Sequence, residues 1–155
     1  MQSLSQILTP GRTVCRAPVV SKKRLLETIS RVITEDQLSL PYDEVLDHLI
    51  AREKLGSTGL GQGIAIPHCR AGNCAQPLGS LLTLENPIDF DAPDDKPVDL
   101  LFVLLVPEEA HQQHLDILAY IARLFSQTGF CQQLRAAPDH QALYDIATGQ
   151  AGSGE

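Results

Sequence analysis

The sequence predicts an α/β fold in which a small mixed β-sheet carries helices on both faces. The predicted elements run in the order helices, strands, helices, and strand-rich and helix-rich stretches alternate only in part. Residues 98–106 are almost continuously apolar, which is typical of a strand covered on both faces. With 155 residues, 43% of them hydrophobic and 20% charged, the chain has the length of one domain and the composition of a soluble globular protein.

The N-terminal part predicts one short strand and two helices. Prolines and a glycine break the first residues, and we expect a strand at residues 13–16. Ser21 is a favourable N-cap for a first helix that ends near Glu35. Pro41 suits the start of a second helix, which ends near Lys54. Apolar residues recur at helical spacing in both, at Leu25, Leu26, Ile29, Val32 and Ile33, and at Val45, Leu46, Leu49 and Ile50.

A glycine-dense stretch separates these helices from the strands. Residues 56–63 contain four glycines, a density that disfavours a helix, so we predict a loop followed by a short strand that Pro67 ends. The stretch fits neither phosphate-binding fingerprint, because no Gly-Lys-Ser/Thr follows and Ile64 stands where a third dinucleotide-binding glycine belongs. Ser57 also lacks the Gly-x-Ser-x-Gly spacing of a serine hydrolase.

The second half predicts strands and then helices. Strands are expected at residues 78–84 and 98–106, with turns at Asn86-Pro87 and at Ala92-Pro93-Asp94-Asp95 between them. Two short helices are expected at residues 129–136 and 139–147, the second opened by a favourable aspartate. A long helix precedes them, defined by Leu115, Leu118, Ala119, Ala122 and Phe125.

One domain accounts for nearly the whole chain. We assign it to residues 1–148 and read the small, polar residues 149–155 as a flexible tail. The longest apolar run, residues 100–106, is far shorter than the ~20 residues that a membrane-spanning helix needs. The N-terminus lacks the pattern of a signal peptide, so we expect a cytoplasmic protein without direct membrane insertion.

The charge balance argues against nucleic-acid binding. Twelve basic residues face nineteen acidic ones, for a net charge of -7, and residues 22–24 form the one dense basic run. An acidic surface favours association with a basic protein partner.

The cysteines are expected to be free thiols. Cys15, Cys69, Cys74 and Cys131 are irregularly spaced, and nothing in the sequence indicates secretion. Cys69 and Cys74 beside His68 give a weak zinc pattern, which lacks a second close pair of ligands.

His68 is the candidate nucleophile. It follows the predicted strand at the mouth of the glycine loop, and a neutral imidazole is a good nucleophile near neutral pH. Attack on a phosphoryl group would give a phosphohistidine, which requires nearby cations and hydrogen-bond donors. Arg52 can supply a planar cation, and His114 can donate or orient. On spacing alone, a histidine that merely ends a strand is the simpler alternative. We expect the other histidines to be solvated, at His48, His111 and His140.

Residues 52–68, Arg-Glu-Lys-Leu-Gly-Ser-Thr-Gly-Leu-Gly-Gln-Gly-Ile-Ala-Ile-Pro-His, resemble the active-site signature of the mannitol/fructose-type enzyme IIA family. These are phosphocarriers of the bacterial phosphoenolpyruvate-dependent phosphotransferase system. Residues 21–24, 37–41 and 97–107 also resemble the family, and the likeness covers most of the chain between residues 4 and 147. Within the family, it is closest in kind to the free-standing nitrogen-regulatory members.

The resemblance implies a three-layer α/β/α domain and assigns roles to particular residues. It implies that His68 is phosphorylated, that Arg52 stabilises the phosphoryl group and that His114 supports the site. Cys69 departs from the pattern, because many relatives have glycine there. Four further residues match the signature and are expected near the phosphate, namely Gly56, Ser57, Thr58 and Gly59.

The resemblance also implies a function. A phosphohistidine HPr-type carrier of the nitrogen branch would donate to His68, without metal or other cofactor. The phosphorylated and unphosphorylated forms would then regulate different targets, such as potassium-transport components or sensor kinases. Two alternatives stay open: a sugar-specific enzyme IIA that passes the group to a permease subunit, and a binding module that has lost transfer. Retention of Arg52, His68 and His114 together argues against the second.

Overall fold

A computed structural model describes residues 3–109 and 111–149. Of the predicted tail at residues 149–155, only Gly149 lies within the described residues. Within these ranges, no helix has the length and apolar character required to cross a membrane.

Five α-helices and six strands are present in the part of the chain that the structure describes. The helices are α1 (Lys22–Asp36), α2 (Tyr42–Lys54), α3 (Gln112–Phe125), α4 (Thr128–Ala136) and α5 (His140–Ala147). The strands are β1 (Thr13–Ala17), β2 (Gly59–Gly61), β3 (Ile64–Ala65), β4 (His68–Ala71), β5 (Leu78–Ile88) and β6 (Val98–Pro107). Two short 3-10 helices precede β1, at Leu4–Gln6 and Pro10–Arg12. The five predicted helices are all present, and Ser21 and Asp139 cap α1 and α5 through their side chains.

The sheet is mixed, as predicted, with strand order β1-β5-β6-β3-β2. Strand β6 lies at its centre, antiparallel to β5 on one side. On the other side β6 pairs in parallel with β3 and then, further along, with β4. Two consecutive short strands therefore share one edge of β6, with the turn at residues 66–67 between them.

Helices cover both faces of the sheet, which gives the three-layer α/β/α arrangement. Leu101, Val103 and Leu105 of β6 pack in the core beneath α1 and α2. The alternate residues of β6, from Leu100 to Val106, pack in a second core beneath α3, α4 and α5. Both faces of β6 are buried, which explains its continuous apolar sequence.

The glycine-rich stretch differs from the predicted loop, because part of it pairs. Strands β2 and β3 form an antiparallel hairpin. Its turn places Gln62 at φ 60° and the flanking Gly61 and Gly63 at φ 92° and 79°. Glycine adopts these left-handed conformations without the steric cost of a Cβ atom, so the glycines here serve a tight turn.

The strand ends before Pro67, as predicted, because β3 stops at Ala65, but a second strand that was not predicted follows directly. Proline lacks an N–H group, but the Pro67 carbonyl still accepts a hydrogen bond from Leu104 N at 2.9 Å. Pairing with β6 then continues, and His68 is the first residue of β4, opposite Leu104. His68 is thus fixed by the sheet on its C-terminal side as well.

The predicted turn at Asn86-Pro87 is wrong. Strand β5 continues through it to Ile88. The pairing register with β6 shifts between Thr83 and Ile88, and residues 85–87 are exposed. A bulge at this place accommodates a proline that cannot donate to the ladder.

Candidate active site

His68 sits at the start of β4 with its two ring nitrogens in different environments. Nδ1 lies 2.7 Å from the carbonyl oxygen of Ile66, two residues earlier. A carbonyl oxygen only accepts, so Nδ1 carries the proton and donates it. Nε2 therefore holds the lone pair of the neutral ring and is the nucleophilic atom.

Arg52, in the last turn of α2, is brought next to this lone pair. Its Nε lies 3.4 Å from Nε2 of His68. Its Nη1 donates to the carbonyl oxygen of Gly56 at 2.8 Å. The guanidinium is thus held at two points and presents positive charge beside the nucleophilic nitrogen.

His114 completes a group of three. It lies in the first turn of α3, and its ring centroid is 5.7 Å from that of His68, with the planes inclined at 63°. Its Nδ1 is buried and has no hydrogen-bond partner among residues 3–109 and 111–149. The fold therefore assembles Arg52, His68 and His114 from three separate elements, α2, β4 and α3.

Burial disfavours the charged form of both histidines. Burial lowers the pKa of His68 below its ordinary value of 6.5, and the Arg52 charge lowers it further, against opposing effects of the Ile66 carbonyl and Glu53. Burial also lowers the pKa of His114, helped by His68 and Arg70. At neutral pH, Nε2 of His68 is consequently unprotonated and able to attack.

The three residues face an open cleft of about 570 Å³. Three histidines, two arginines and one glutamate line it, namely His48, Arg52, His68, Arg70, His114 and Glu108. Two guanidinium groups suit a site that receives a doubly charged phosphoryl group.

Arg70 is a site residue that the sequence analysis missed. It lies two residues after His68 on β4, and alternate residues of a strand share a face. Its Nη1 donates to the carbonyl oxygen of Glu108 at 2.7 Å, at the end of the β6 region that leads to α3. The i, i+2 spacing would have indicated it, but no strand was predicted after Pro67.

His48 was predicted to be a solvated surface residue, and this is wrong. It is half-buried on α2, one turn before Arg52, and lines the cleft. Its Nδ1 is buried without a hydrogen-bond partner in the described part of the chain. The i, i+4 spacing from Arg52 was the signal for its position.

The hydroxyl groups of Ser57 and Thr58 form hydrogen bonds within the protein. Ser57 Oγ donates to the Phe90 carbonyl oxygen at 2.9 Å and accepts from Gly59 N at 3.0 Å. Thr58 Oγ1 donates to the carboxylate of Glu53, and Thr58 is buried. Residues 56–59 are absent from the lining of the cleft, while the Gly56 carbonyl orients Arg52. Their contact with a phosphate stays a prediction.

The cysteines are free thiols, and three of them are buried. Burial raises the pKa of Cys69 to about 12, so this neighbour of His68 is a protonated, weakly nucleophilic thiol. No three His, Cys, Asp or Glu side chains within residues 3–109 and 111–149 are placed to hold a metal ion. The zinc alternative therefore has no ligand set in that part of the chain.

Comparison with known proteins gives consistent matches over the whole domain. Residues 6–148 match the family model described as "Phosphoenolpyruvate-dependent sugar phosphotransferase system, EIIA 2". The chain is 49% identical to the nitrogen regulatory protein of Pseudomonas aeruginosa over 146 residues, which are 94% of this chain and 95% of that protein. It is 44% identical to the nitrogen regulatory protein of Escherichia coli over 151 residues, 97% of this chain and 92% of that protein.

Solved structures agree with these matches. The crystal structure of nitrogen regulatory protein IIA-Ntr from Neisseria meningitidis is similar with a TM-score of 0.87 and 43% identity, over 94% of this chain and 99% of that one. The mannitol IIA of Escherichia coli is similar with a TM-score of 0.74 at 13% identity, over 90% of this chain and 98% of that one, and so shows the fold alone.

Proposed function

Because this chain belongs to the EIIA 2 family of the phosphoenolpyruvate-dependent phosphotransferase system, we propose that it is a regulatory phosphocarrier that accepts a phosphoryl group on His68. The observation that carries the proposal is the pair formed by Arg52 and His68. A neutral imidazole presents Nε2 to an open cleft, with a guanidinium 3.4 Å away. This arrangement supports nucleophilic attack on phosphorus combined with stabilisation of the phosphoryl charge.

The transfer step exchanges one nitrogen–phosphorus bond for another. The Nε2 lone pair of His68 attacks the phosphorus of a donor phosphohistidine whose ring is protonated. The donor bond breaks, and its electron pair returns to the donor ring, which leaves as a neutral imidazole. His68 becomes a phosphoimidazolium, and its Nδ1–H continues to donate to the Ile66 carbonyl oxygen 2.7 Å away. The Nε–H of Arg52 donates to Nε2 of His68 at 3.4 Å before transfer, so it must release this lone pair and turn to the phosphoryl oxygens as they arrive, since a guanidinium pairs well with phosphate.

We further propose that the donor is an HPr-type carrier of the nitrogen branch and that the output is regulatory. Support comes from the relatives named nitrogen regulatory protein, which match at 49% and 44% identity over more than nine-tenths of the chain. The fructose-specific EIIA component of Haloferax volcanii matches 67% of this chain at 38% identity. The sugar-specific alternative therefore has weaker support. Potassium-transport components and sensor kinases are the classes of target proposed.

The experiment is reconstituted phosphorylation followed by intact mass. The protein is mixed with phosphoenolpyruvate, the first enzyme of the system and either a nitrogen-branch or a sugar-branch carrier. We expect an acid-labile gain of about 80 Da, the mass of one phosphoryl group, with the nitrogen-branch carrier. His68→Ala should show no gain, whereas the control His111→Ala, at an exposed histidine before α3, should match the wild type.

Each outcome has a defined meaning. A gain that the sugar-branch carrier produces faster would favour the sugar-specific alternative. A gain retained in His68→Ala would place the phosphoryl group elsewhere. The absence of any gain with both carriers would overturn the phosphocarrier proposal in favour of a binding module.

A further inference from the structure

Glu53, the residue after Arg52, carries a buried carboxylate that is ion-paired and hydrogen-bonded. Its side chain is only 5% exposed, and Lys22 Nζ lies 3.0 Å from its Oε1. Lys22 also lies 4.4 Å above the ring of Phe90 and 3.3 Å from the Phe90 carbonyl oxygen. A carboxylate is costly to bury unless it is paired and hydrogen-bonded, so the surroundings of Glu53 satisfy a specific charge.

Two bonds from Thr58 satisfy the rest of this carboxylate. The backbone N–H of Thr58 donates to Oε1 of Glu53 at 3.3 Å, and its hydroxyl donates to Oε2. Thr58 itself is 5% exposed. Residues 54–57 are thereby closed into a short loop against the last turn of α2.

This closure fixes the carbonyl that holds Arg52. Gly56 lies inside the loop, and its carbonyl oxygen accepts from Nη1 of Arg52 at 2.8 Å. With Nη1 held there, Nε of the same guanidinium lies 3.4 Å from Nε2 of His68. A continuous series of contacts thus runs from the Glu53 carboxylate to the nucleophilic nitrogen.

We propose that Glu53 and Thr58 are positioning residues for phosphoryl transfer, which act by holding the Gly56 carbonyl and so orienting Arg52 on His68. The expected effect on the transfer rate rests on the proposed function. The expected effect on the position of Arg52 concerns the unphosphorylated protein and does not. An arginine side chain is flexible, and donors that are fixed before reaction stabilise a transition state better than donors that must reorganise. Misplacement by about 1 Å can cost roughly a hundredfold in rate.

Thr58→Val is the main test, because it keeps the shape of the side chain and removes the hydroxyl donor. We expect single-turnover transfer at saturating phosphocarrier to slow by roughly tenfold, with the KM for the carrier within about twofold of wild type. Thr58→Ser should restore the rate. Thr34→Val is the matched control, since the Thr34 hydroxyl bonds carbonyl oxygens of its own helix, that of Ser30 at 2.8 Å.

A second readout needs no transfer at all. In ¹⁵N NMR spectra of the unphosphorylated protein, the Nε–Hε signal of Arg52 should move toward that of a free arginine in Thr58→Val and stay in place in Thr34→Val. Glu53→Gln, which keeps an acceptor for Thr58 N but loses the charge, should move it in the same direction. Glu53→Gln also tests the positioning role if Thr58→Val fails to fold.

The outcomes separate this proposal from the proposed function. If no carrier phosphorylates even the wild type, the proposed function fails, and the Arg52 signal still decides the positioning role. If both the Arg52 signal and the transfer rate of the folded Thr58→Val and Glu53→Gln variants equal those of wild type, the positioning proposal is overturned. A loss of rate that Thr58→Ser does not restore, with the Arg52 signal unmoved, also overturns it.

Discussion

Nε of Arg52 lies 3.4 Å from Nε2 of His68, whereas the carbonyl oxygen of Ile66 lies 2.7 Å from Nδ1 of the same ring. The ring is thus fixed by a backbone acceptor on one side and faces a cation on the other. The backbone contact selects the tautomer, and the cation lies where the oxygens of an incoming phosphoryl group would arrive. In His68, Nδ1 therefore carries the proton, and Nε2 is the nitrogen that could attack.

The first prediction is that the phosphoryl group resides on Nε2 of His68. Nδ1 is occupied by its bond to the Ile66 carbonyl oxygen, so a phosphoryl group there would require that bond to break. Long-range ¹H–¹⁵N and ³¹P NMR of the phosphorylated protein distinguish the two isomers. A phosphorus coupled to Nδ1 would contradict the tautomer assigned from the structure.

The second prediction concerns the effect of Arg52 on the titration of His68. Burial and the Arg52 charge both lower the pKa of His68 below 6.5. Arg52→Gln removes the charge, so the pKa of His68 should rise, as followed by ¹H–¹⁵N NMR from pH 4.5 to 8. Transfer to the variant should be slower by roughly a hundredfold, the usual order for losing one donor to a developing phosphoryl charge.

Arg24→Gln is the control for that titration. Arg24 is exposed on α1 and pairs with Glu27 rather than with the cleft. We expect the pKa of His68 and the transfer rate to be unchanged in this variant. A shift as large as that of Arg52→Gln would show that overall charge, and not the contact of Arg52 with His68, sets the titration.

The third prediction is a loss of stability in mild acid. Burial lowers the folded-state pKa of His68 and of His114, while in the unfolded chain both return to about 6.5. As the pH falls below about 6.5, the unfolded state takes up protons that the native state still excludes, so the free energy of unfolding decreases until the folded-state pKa values are passed. Melting curves at pH 7.5 and 5.0 measure this loss. It should be smaller in the double variant His68→Gln, His114→Gln, and an equal loss would assign the effect to other groups.

Sequence rules correctly predicted the helix faces, the buried strand and the helix caps, all of which depend on local sequence. Helical spacing of Leu25, Ile29 and Ile33 marks the face of α1 that is fully buried in the structure. The continuous apolar stretch of β6 likewise reflects burial on both of its faces. Ser21 and Asp139 cap helices through their side chains, as their residue types favour.

The features that the sequence did not reveal depend on long-range pairing. A strand was expected to end at Pro67, and β3 does end before it, but Leu104 of β6 donates to the Pro67 carbonyl oxygen, and pairing resumes at His68 in a strand that was not predicted. No local rule contains that contact. Because no strand was predicted after Pro67, Arg70 was not placed beside His68. His48 was left on the surface although it shares a helix with Arg52. The motif identified His68 as the candidate nucleophile, and the tertiary fold showed which side chains lie around it.

The fourth prediction tests the packing of the sheet at Gly79 in β5. A Cβ atom there would lie 2.4 Å from Cζ of Phe102, a residue with 0% exposure. Gly79→Ala should destabilise the protein by about 1–3 kcal/mol, because Phe102 has no room to move without disturbing the core. For a chain of this length, each kcal/mol lowers Tm by roughly 2–4 °C.

Gly129→Ala is the matched control for that substitution. Gly129 lies in the first turn of α4, and no described atom outside its chain neighbours and the adjacent helix backbone lies within 4 Å of the position of its added Cβ. Alanine is the better helix former, so the variant should be as stable as wild type or more stable by up to about 1 kcal/mol. Equal melting temperatures for the two variants would contradict the close contact of Gly79 with Phe102.

The last prediction is that Cys15 reacts with alkylating reagents before the other cysteines. Cys15 is half-buried, whereas Cys69, Cys74 and Cys131 are buried, and burial raises the pKa of each of these three, that of Cys69 to about 12. The thiolate is the reacting species, so a buried thiol with a raised pKa reacts slowly in the native state. Iodoacetamide at pH 8 followed by peptide mass analysis should show a fast phase at Cys15, absent in Cys15→Ser, and alkylation of Cys69 only after unfolding. Fast alkylation of native Cys69 would mean that the residue beside the proposed phosphorylation site is open to reagents, and would contradict the packing of β4 against β6.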